Sequence, residues 1–294
     1  MEDKQNKRKK KKRKKGTNST ILIIVLIIAG LLIMLYPTIS NFYNQVTGSY
    51  AIQEFKENLA DQSEAMLQEQ RMMAEAYNAA LRGGSDEIEC DYEYVDIMDF
   101  GNGMMGYIEI PVIDVYLPIY HGVDESVLSK GVGHISKTAF PIGGEGNHSV
   151  LSGHTGLPSA ELFTDLTEVK EGDEFFIHIL GDTVAYEVDQ ILVVLPEEVD
   201  NLLPVAGEDY CTLVTCTPYG VNSHRLLVRG HRIEYTGEVE EVINAQEETL
   251  DFSEIIVICV GIALFLLVLI FIILYIMKRR KNAHENVEKN TSDT

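Results

Sequence analysis

Three kinds of hydrophobic pattern follow one another along this chain of 294 residues. Residues 20–36 and 255–277 are continuous apolar runs without a charge. The first is near the short limit for a membrane-spanning helix and the second is long enough to span with some tilt. Between Ser40 and Leu81 the apolar positions recur at steps of three and four, through Ile52, Phe55, Leu59, Met66, Met73 and Tyr77. That period predicts a helix, and Gly83-Gly84 ends it. From Met105 onward the period falls to two. Short apolar runs at 107–111, 115–120, 149–152, 174–180, 184–189, 190–194, 211–216 and 225–229 are separated by turn residues. Strands this short and this regularly spaced, with no long helix among them, predict a mainly β domain, a closed barrel or a sandwich. Residues 85–103 are acidic and poorly periodic, a loop of the length often used as a lid or binding loop.

Charge sorts these segments into compartments. The net charge is −21, yet residues 1–15 hold ten Lys/Arg and residues 278–294 hold five. Only nine basic residues, against forty acidic ones, lie between those ends. The basic clusters flank the apolar runs on their outer sides, so the positive-inside rule puts both termini in the cytoplasm and the middle outside. The first run is not followed by a small-x-small cleavage site at Tyr36-Pro-Thr-Ile-Ser, which favours an uncleaved anchor over a signal peptide. The basic tail directly before a span serves orientation and anionic lipid contact, and the acidic exterior argues against a nucleic-acid partner. The expected organisation is a cytoplasmic tail 1–19, a transmembrane helix 20–36, an extracellular helical region 37–82, a lid-like acidic loop 83–104 and a β-barrel 105–235. An acidic linker 236–254, a second transmembrane helix 255–277 and a cytoplasmic tail 278–294 follow. The protein is thus expected in the cell membrane, multi-pass, with its β domain extracellular.

Chemistry concentrates at the last predicted hairpin. A β-branched run delivers Cys216 to a turn at Pro218 and Gly220, and the return strand begins with Arg225. A thiol at a strand end beside a fixed cation is the setting of a nucleophilic cysteine. Arg229 shares the face of Arg225 but lies about 13 Å further along, too far to serve the same carbonyl. His154, flanked by Gly153 and Gly156, sits in a tight bend and is the candidate proton carrier. Cys211 and Cys216 point to opposite faces of one strand and are about 16 Å apart, beyond disulfide reach. Cys90, in the acidic loop, is open to pairing with Cys216, to pairing with Cys211, or to remaining a free thiol. No metal-ligand spacing unites His121, His134, His148 and His154, and no phosphate-binding glycine loop occurs. No metal or cofactor is expected.

An ordered set of segments between residues 105 and 233 resembles the sortases, in particular the class C, pilin-polymerising sortases of Gram-positive bacteria. It comprises Met105-Gly-Tyr-Ile-Glu-Ile-Pro, Leu117-Pro-Ile-Tyr-His-Gly, Gly131-Val-Gly-His, Pro141-Ile-Gly-Gly, Leu151-Ser-Gly-His-Thr-Gly-Leu-Pro, Leu162-Phe-Thr-Asp-Leu, Asp209-Tyr-Cys-Thr-Leu-Val-Thr-Cys-Thr-Pro-Tyr-Gly and Asn222-Ser-His-Arg-Leu-Leu-Val-Arg-Gly-His-Arg. The resemblance implies a sortase-like closed β-barrel with an N-terminal helical stalk and two flanking transmembrane helices. It places the catalytic histidine, cysteine and arginine at His154, Cys216 and Arg225. It further implies cleavage of a Leu-Pro-x-Thr-Gly sorting signal between Thr and Gly, through a thioester. The partners would be surface or pilin proteins bearing that signal, with a pilin lysine amine as acceptor. A wall-anchoring sortase using a peptidoglycan amine, and a non-catalytic two-span binding protein, are the alternatives. Class C lids usually carry Asp-Pro-Phe or Asp-Pro-Trp, which this chain lacks. Asp91 and Tyr92 are the lid candidates, carboxylate toward Arg225 and ring over Cys216, with Cys90 beside them.

Overall fold

A computed structural model describes residues 2–83, 90–101 and 103–237 and scattered positions between 261 and 276, with side chains from residue 26 on apart from 27 and 28. Two helices come first, α1 (Glu2–Ala60) and α2 (Glu64–Arg82). The single helix expected over 40–81 is therefore two. The break falls where Ser63 takes an extended conformation and its hydroxyl accepts from the Met66 amide at 3.2 Å, the signature of an N-cap. The predicted span 20–36 lies inside α1, while 255–277 lies largely outside the described residues. Among the described residues no helix is long and apolar enough to cross a membrane. The chain divides into two compact units, residues 1–235 and 236–294.

The strands are β1 (Met104–Ile110), β2 (Val115–His121), β3 (Val132–His134), β4 (Asn147–Ser152), β5 (Glu174–Ile179), β6 (Asp182–Val194), β7 (Asp209–Thr217) and β8 (His224–Ile233). They close a barrel in the order β1-β2-β3-β4-β7-β8-β6-β5, with β5 back on β1. The β2–β3 and β4–β7 pairs are parallel and the rest are antiparallel. A closed barrel leaves no free sheet edge. The two runs read at 184–189 and 190–194 are one strand. Its register with β8 shifts between Val188 and Gln190, a bulge at Asp189 that breaks the alternation without ending the strand. Strand β3 was not anticipated: it has three residues, and a Cβ on Gly133 would stand 2.2 Å from the Gly122 carbonyl oxygen. Close backbone approach selects glycine there and removes the β-branched signal that marks strands.

Alternate residues fill the barrel with Met105, Ile108, Leu151, Phe175, Ile177, Tyr186, Leu213 and Val228. The end where β1 begins and β2 and β3 finish is closed by α2 and by residues 94–100. Asn78 is buried, and its amide both donates to the Phe140 carbonyl at 3.1 Å and accepts from the Phe140 N–H at 2.7 Å. The Tyr77 hydroxyl donates to the Ser136 carbonyl, and Arg82 bonds Asn147. The acidic segment read as a loop thus splits. Residues 84–89 lie outside the described ones, whereas Ile97 and Met98 are wholly buried in the barrel core.

Candidate active site

Strand β7 separates its two cysteines by face. Cys211 and Leu213 belong to the barrel core, while Val214 belongs to an outer apolar patch with Val150, Val194 and Leu227. Cys216 is two residues beyond Val214 and shares that outer face. Burial pushes the Cys211 thiol well up, with the Asp209 carboxylate adding to the shift, so it is a packed thiol rather than a nucleophile. Cys216 is half-buried at the end of the strand.

Across the sheet Cys216 is the register partner of Arg225, and Arg225 is the partner of Val194. Directly opposed residues project from the same face, so thiol, guanidinium and Val194 form one row across three strands. The β7–β8 turn holds the arginine in place. Its Nη1 donates to the carbonyls of Asn222 at 3.3 Å and His224 at 3.1 Å, and Asn222 adopts a left-handed φ of 59°. Arg225 makes no ion pair to a carboxylate among the described residues. Arg229, on the same face, is committed: it forms a bidentate pair with Asp189, both contacts 2.9 Å, and lies 4.2 Å over the Tyr210 ring. The bulge at Asp189 supplies that carboxylate, and the pairing raises the Arg229 pKa further.

The histidine arrives from β4. Ser152 pairs with Val214, and the Gly153 amide extends the ladder by donating to the Val214 carbonyl at 3.0 Å. The Thr215 hydroxyl donates to the Gly153 carbonyl at 2.7 Å. His154 therefore leaves the sheet beside the Thr215–Cys216 segment. Gly153 is required here, because a Cβ would stand 2.6 Å from the Phe163 ring. The His154 carbonyl accepts from the Phe163 amide at 3.0 Å, and its Nε2 lies 3.2 Å from Glu125 Oε2.

The connection from β6 to β7 covers the apolar floor. Leu202 packs on the outer patch, and His148 bridges the Leu203 carbonyl at 3.0 Å to the Thr212 hydroxyl at 2.7 Å. Burial lowers the His148 pKa, so the neutral ring donates from Nδ1 and accepts at Nε2. His121 and His134 are likewise engaged, at the barrel's other end. Among the described residues no group of three or more His, Cys, Asp or Glu is arranged to hold a metal ion.

The structure brings the strand ends carrying His154, Cys216 and Arg225 to one end of the barrel, without a bond from the lid candidates to Arg225. Asp91 and Tyr92 are exposed and form no hydrogen bond or ion pair with Arg225. Cys90 packs against the core cluster near Tyr77, and Cys90, Cys211 and Cys216 are all free thiols. Tyr94 anchors this stretch at the far end, with its hydroxyl 3.0 Å from His134 Nδ1. Glu125 escaped sequence reasoning. It is 29 residues before His154, and its only local mark is a place at the start of a short helix.

Residues 108–233 match the sortase domain family model. Sortase A of Streptococcus agalactiae serotype III (strain NEM316) is 31% identical over 138 residues, which are 46% of this chain and 55% of that relative. The match thus spans about half of that protein's length. Among solved structures, sortase C-1 of Streptococcus pneumoniae is 46% identical, with a TM-score of 0.58 over 64% of this chain and 100% of that one. The pilus-related sortase C of Group B Streptococcus is 42% identical, with a TM-score of 0.57 over 63% of this chain and 98% of that one. A cysteine, an arginine and a histidine gathered at one barrel rim, in a chain that aligns with whole class C structures at this identity, lead to one conclusion: the chain belongs to the sortase family of cysteine transpeptidases.

Proposed function

We propose that this protein is a membrane-anchored transpeptidase that joins pilin subunits. The observation that carries the reading is the direct cross-strand opposition of Cys216 and Arg225, with His154 delivered beside them from β4. The Cys216 thiolate attacks the Thr carbonyl carbon of a Leu-Pro-x-Thr-Gly signal. The carbonyl π electrons move to oxygen, and the Arg225 guanidinium stabilises that oxyanion. On collapse the Thr–Gly C–N bond breaks and protonated His154 gives its proton to the leaving amine. The resulting thioester is attacked by a lysine amine of the next subunit. His154 accepts the amine proton as the C–S bond breaks, leaving an isopeptide bond and a restored thiolate. The relation to a pilus-related sortase C favours a pilin acceptor over a wall amine. The basic clusters outside the apolar runs 20–36 and 255–277 favour two anchors with both termini cytoplasmic.

Mass spectrometry after incubation with a Leu-Pro-x-Thr-Gly peptide tests the chemistry. The expected result is an acyl adduct on Cys216, discharged to an amide by added pilin. Cys216→Ala lowers turnover by about 10⁴-fold or more. Ladders of linked pilin support the acceptor, and attachment to peptidoglycan alone reassigns it. Function that survives Cys216→Ala would reduce the protein to a binding module.

A further inference from the structure

We propose that Glu125 is the positioning residue of His154, and that one turn of α1 holds the two in place. The inference rests on the acyl-transfer reading of the site. A carboxylate oxygen only accepts, so the 3.2 Å contact from His154 Nε2 to Glu125 Oε2 requires the hydrogen on Nε2. That fixes the neutral imidazole as its Nε2–H tautomer and leaves Nδ1 as the basic nitrogen. Among the described residues Nδ1 has no partner, so it is the atom free to take and return the proton. An imidazole oriented through one nitrogen by a carboxylate, with the other nitrogen left free to exchange a proton, follows the logic of a catalytic triad.

The supporting shell is built from distant parts of the chain. Glu125 opens the short helix α3 (Glu125–Leu128), and the carbonyl of the next residue, Ser129, accepts from Asn44 Nδ2 at 3.1 Å. The His154 loop is fixed by the Phe163 amide on the His154 carbonyl. It is fixed again by the Glu161 amide, which donates to Asn41 Oδ1 at 2.9 Å. Asn41 and Asn44 are three apart and lie on one face of α1. The same helical turn therefore grips the segment carrying the carboxylate and the segment carrying the imidazole. Glu125 is 78% exposed, so the pair adds little to folding, and its effect is on the ring's orientation.

The test uses the full chain, a Leu-Pro-x-Thr-Gly peptide and an amine nucleophile. Glu125→Ala is expected to lower kcat for thioester formation by about 10-fold, the scale of lost orienting partners, with peptide KM within about twofold. Glu125→Gln keeps an oxygen acceptor toward Nε2–H and is expected to recover most of the rate. Asn44→Leu frees α3 from α1 and gives an intermediate loss. Imidazole ¹⁵N shifts of neutral His154 are expected to report the Nε2–H form in the parent chain and a tautomer mixture in Glu125→Ala. Unchanged kcat in Glu125→Ala overturns the proposal. So does a rise confined to the amine KM, which makes Glu125 a recruiter of the ammonium, and so does a Gln variant as slow as Ala. A parent chain that forms no thioester overturns the acyl-transfer reading instead, while the nitrogen shifts still test the Glu125–His154 link.

Discussion

At the residue scale, pairs of identical side chains receive opposite roles from their surroundings. Cys211 and Cys216 differ by an odd offset on one strand, so one is sealed in the core and the other stands at the rim. Arg225 and Arg229 share a face, but only Arg229 has a carboxylate partner. Replacing Arg225 by Lys keeps charge and loses the planar fork, and kcat for thioester formation is expected to fall about 10²-fold. Arg229→Ala is expected to leave kcat near the parent value and to lower stability by about 1 kcal/mol, measured by urea unfolding. Alternation along β7 made the distinction between the cysteines legible in the sequence. The commitment of Arg229 was not, because its partner sits on a bulge that no periodicity locates.

At the element scale, the helical region and the acidic segment show what local pattern misses. The apolar stripe over 40–81 continues across the break between α1 and α2, since both helices turn an apolar side to the barrel. Only the Ser63 cap marks the division, and Ser63→Ala is expected to cost about 1 kcal/mol in denaturant titrations. The acidic composition of 83–104 conceals Ile97 and Met98, which are buried by tertiary packing rather than by any period. The bend before His154 was readable from its glycines, and the structure supplies the reason. Gly153→Ala pushes a methyl against the Phe163 ring, so a loss of about 1–3 kcal/mol and a displaced His154 are expected. Thermal melts and peptide turnover measure the two effects together.

At the scale of the whole molecule, the buried polar cluster at the far end of the barrel sets the response to acid. His134 is fully buried, and its Nε2 donates to the Ala139 carbonyl at 2.9 Å. Its Nδ1 stands 3.0 Å from the Tyr94 hydroxyl, which donates to the His134 carbonyl at 2.9 Å. Burial lowers its pKa from 6.5 to about 4. The unfolded chain therefore binds the extra proton first. The contribution of His134 is full above pH 6.5, falls as pH drops from 6.5 to 4, and amounts to about 3 kcal/mol. Asp209 opposes this: burial raises its pKa, so its contribution is lost as pH rises through the folded value. Urea midpoints between pH 7 and 4 are expected to fall in the parent chain and to fall less in His134→Gln.

The sequence by itself carried the alternation of a mainly β domain, the basic runs outside the two apolar segments, and the expectation that His154, Cys216 and Arg225 act together. Each of those is written in neighbours along the chain, in a period, a charge run or a glycine-flanked bend. Only the tertiary structure decided that Cys90–Phe100 packs at the barrel's far end, that Arg229 is paired, and that Glu125 meets His154. Those facts depend on which strands become neighbours and how a helix crosses them. Residues 29 positions apart meet at 3.2 Å only after the barrel closes.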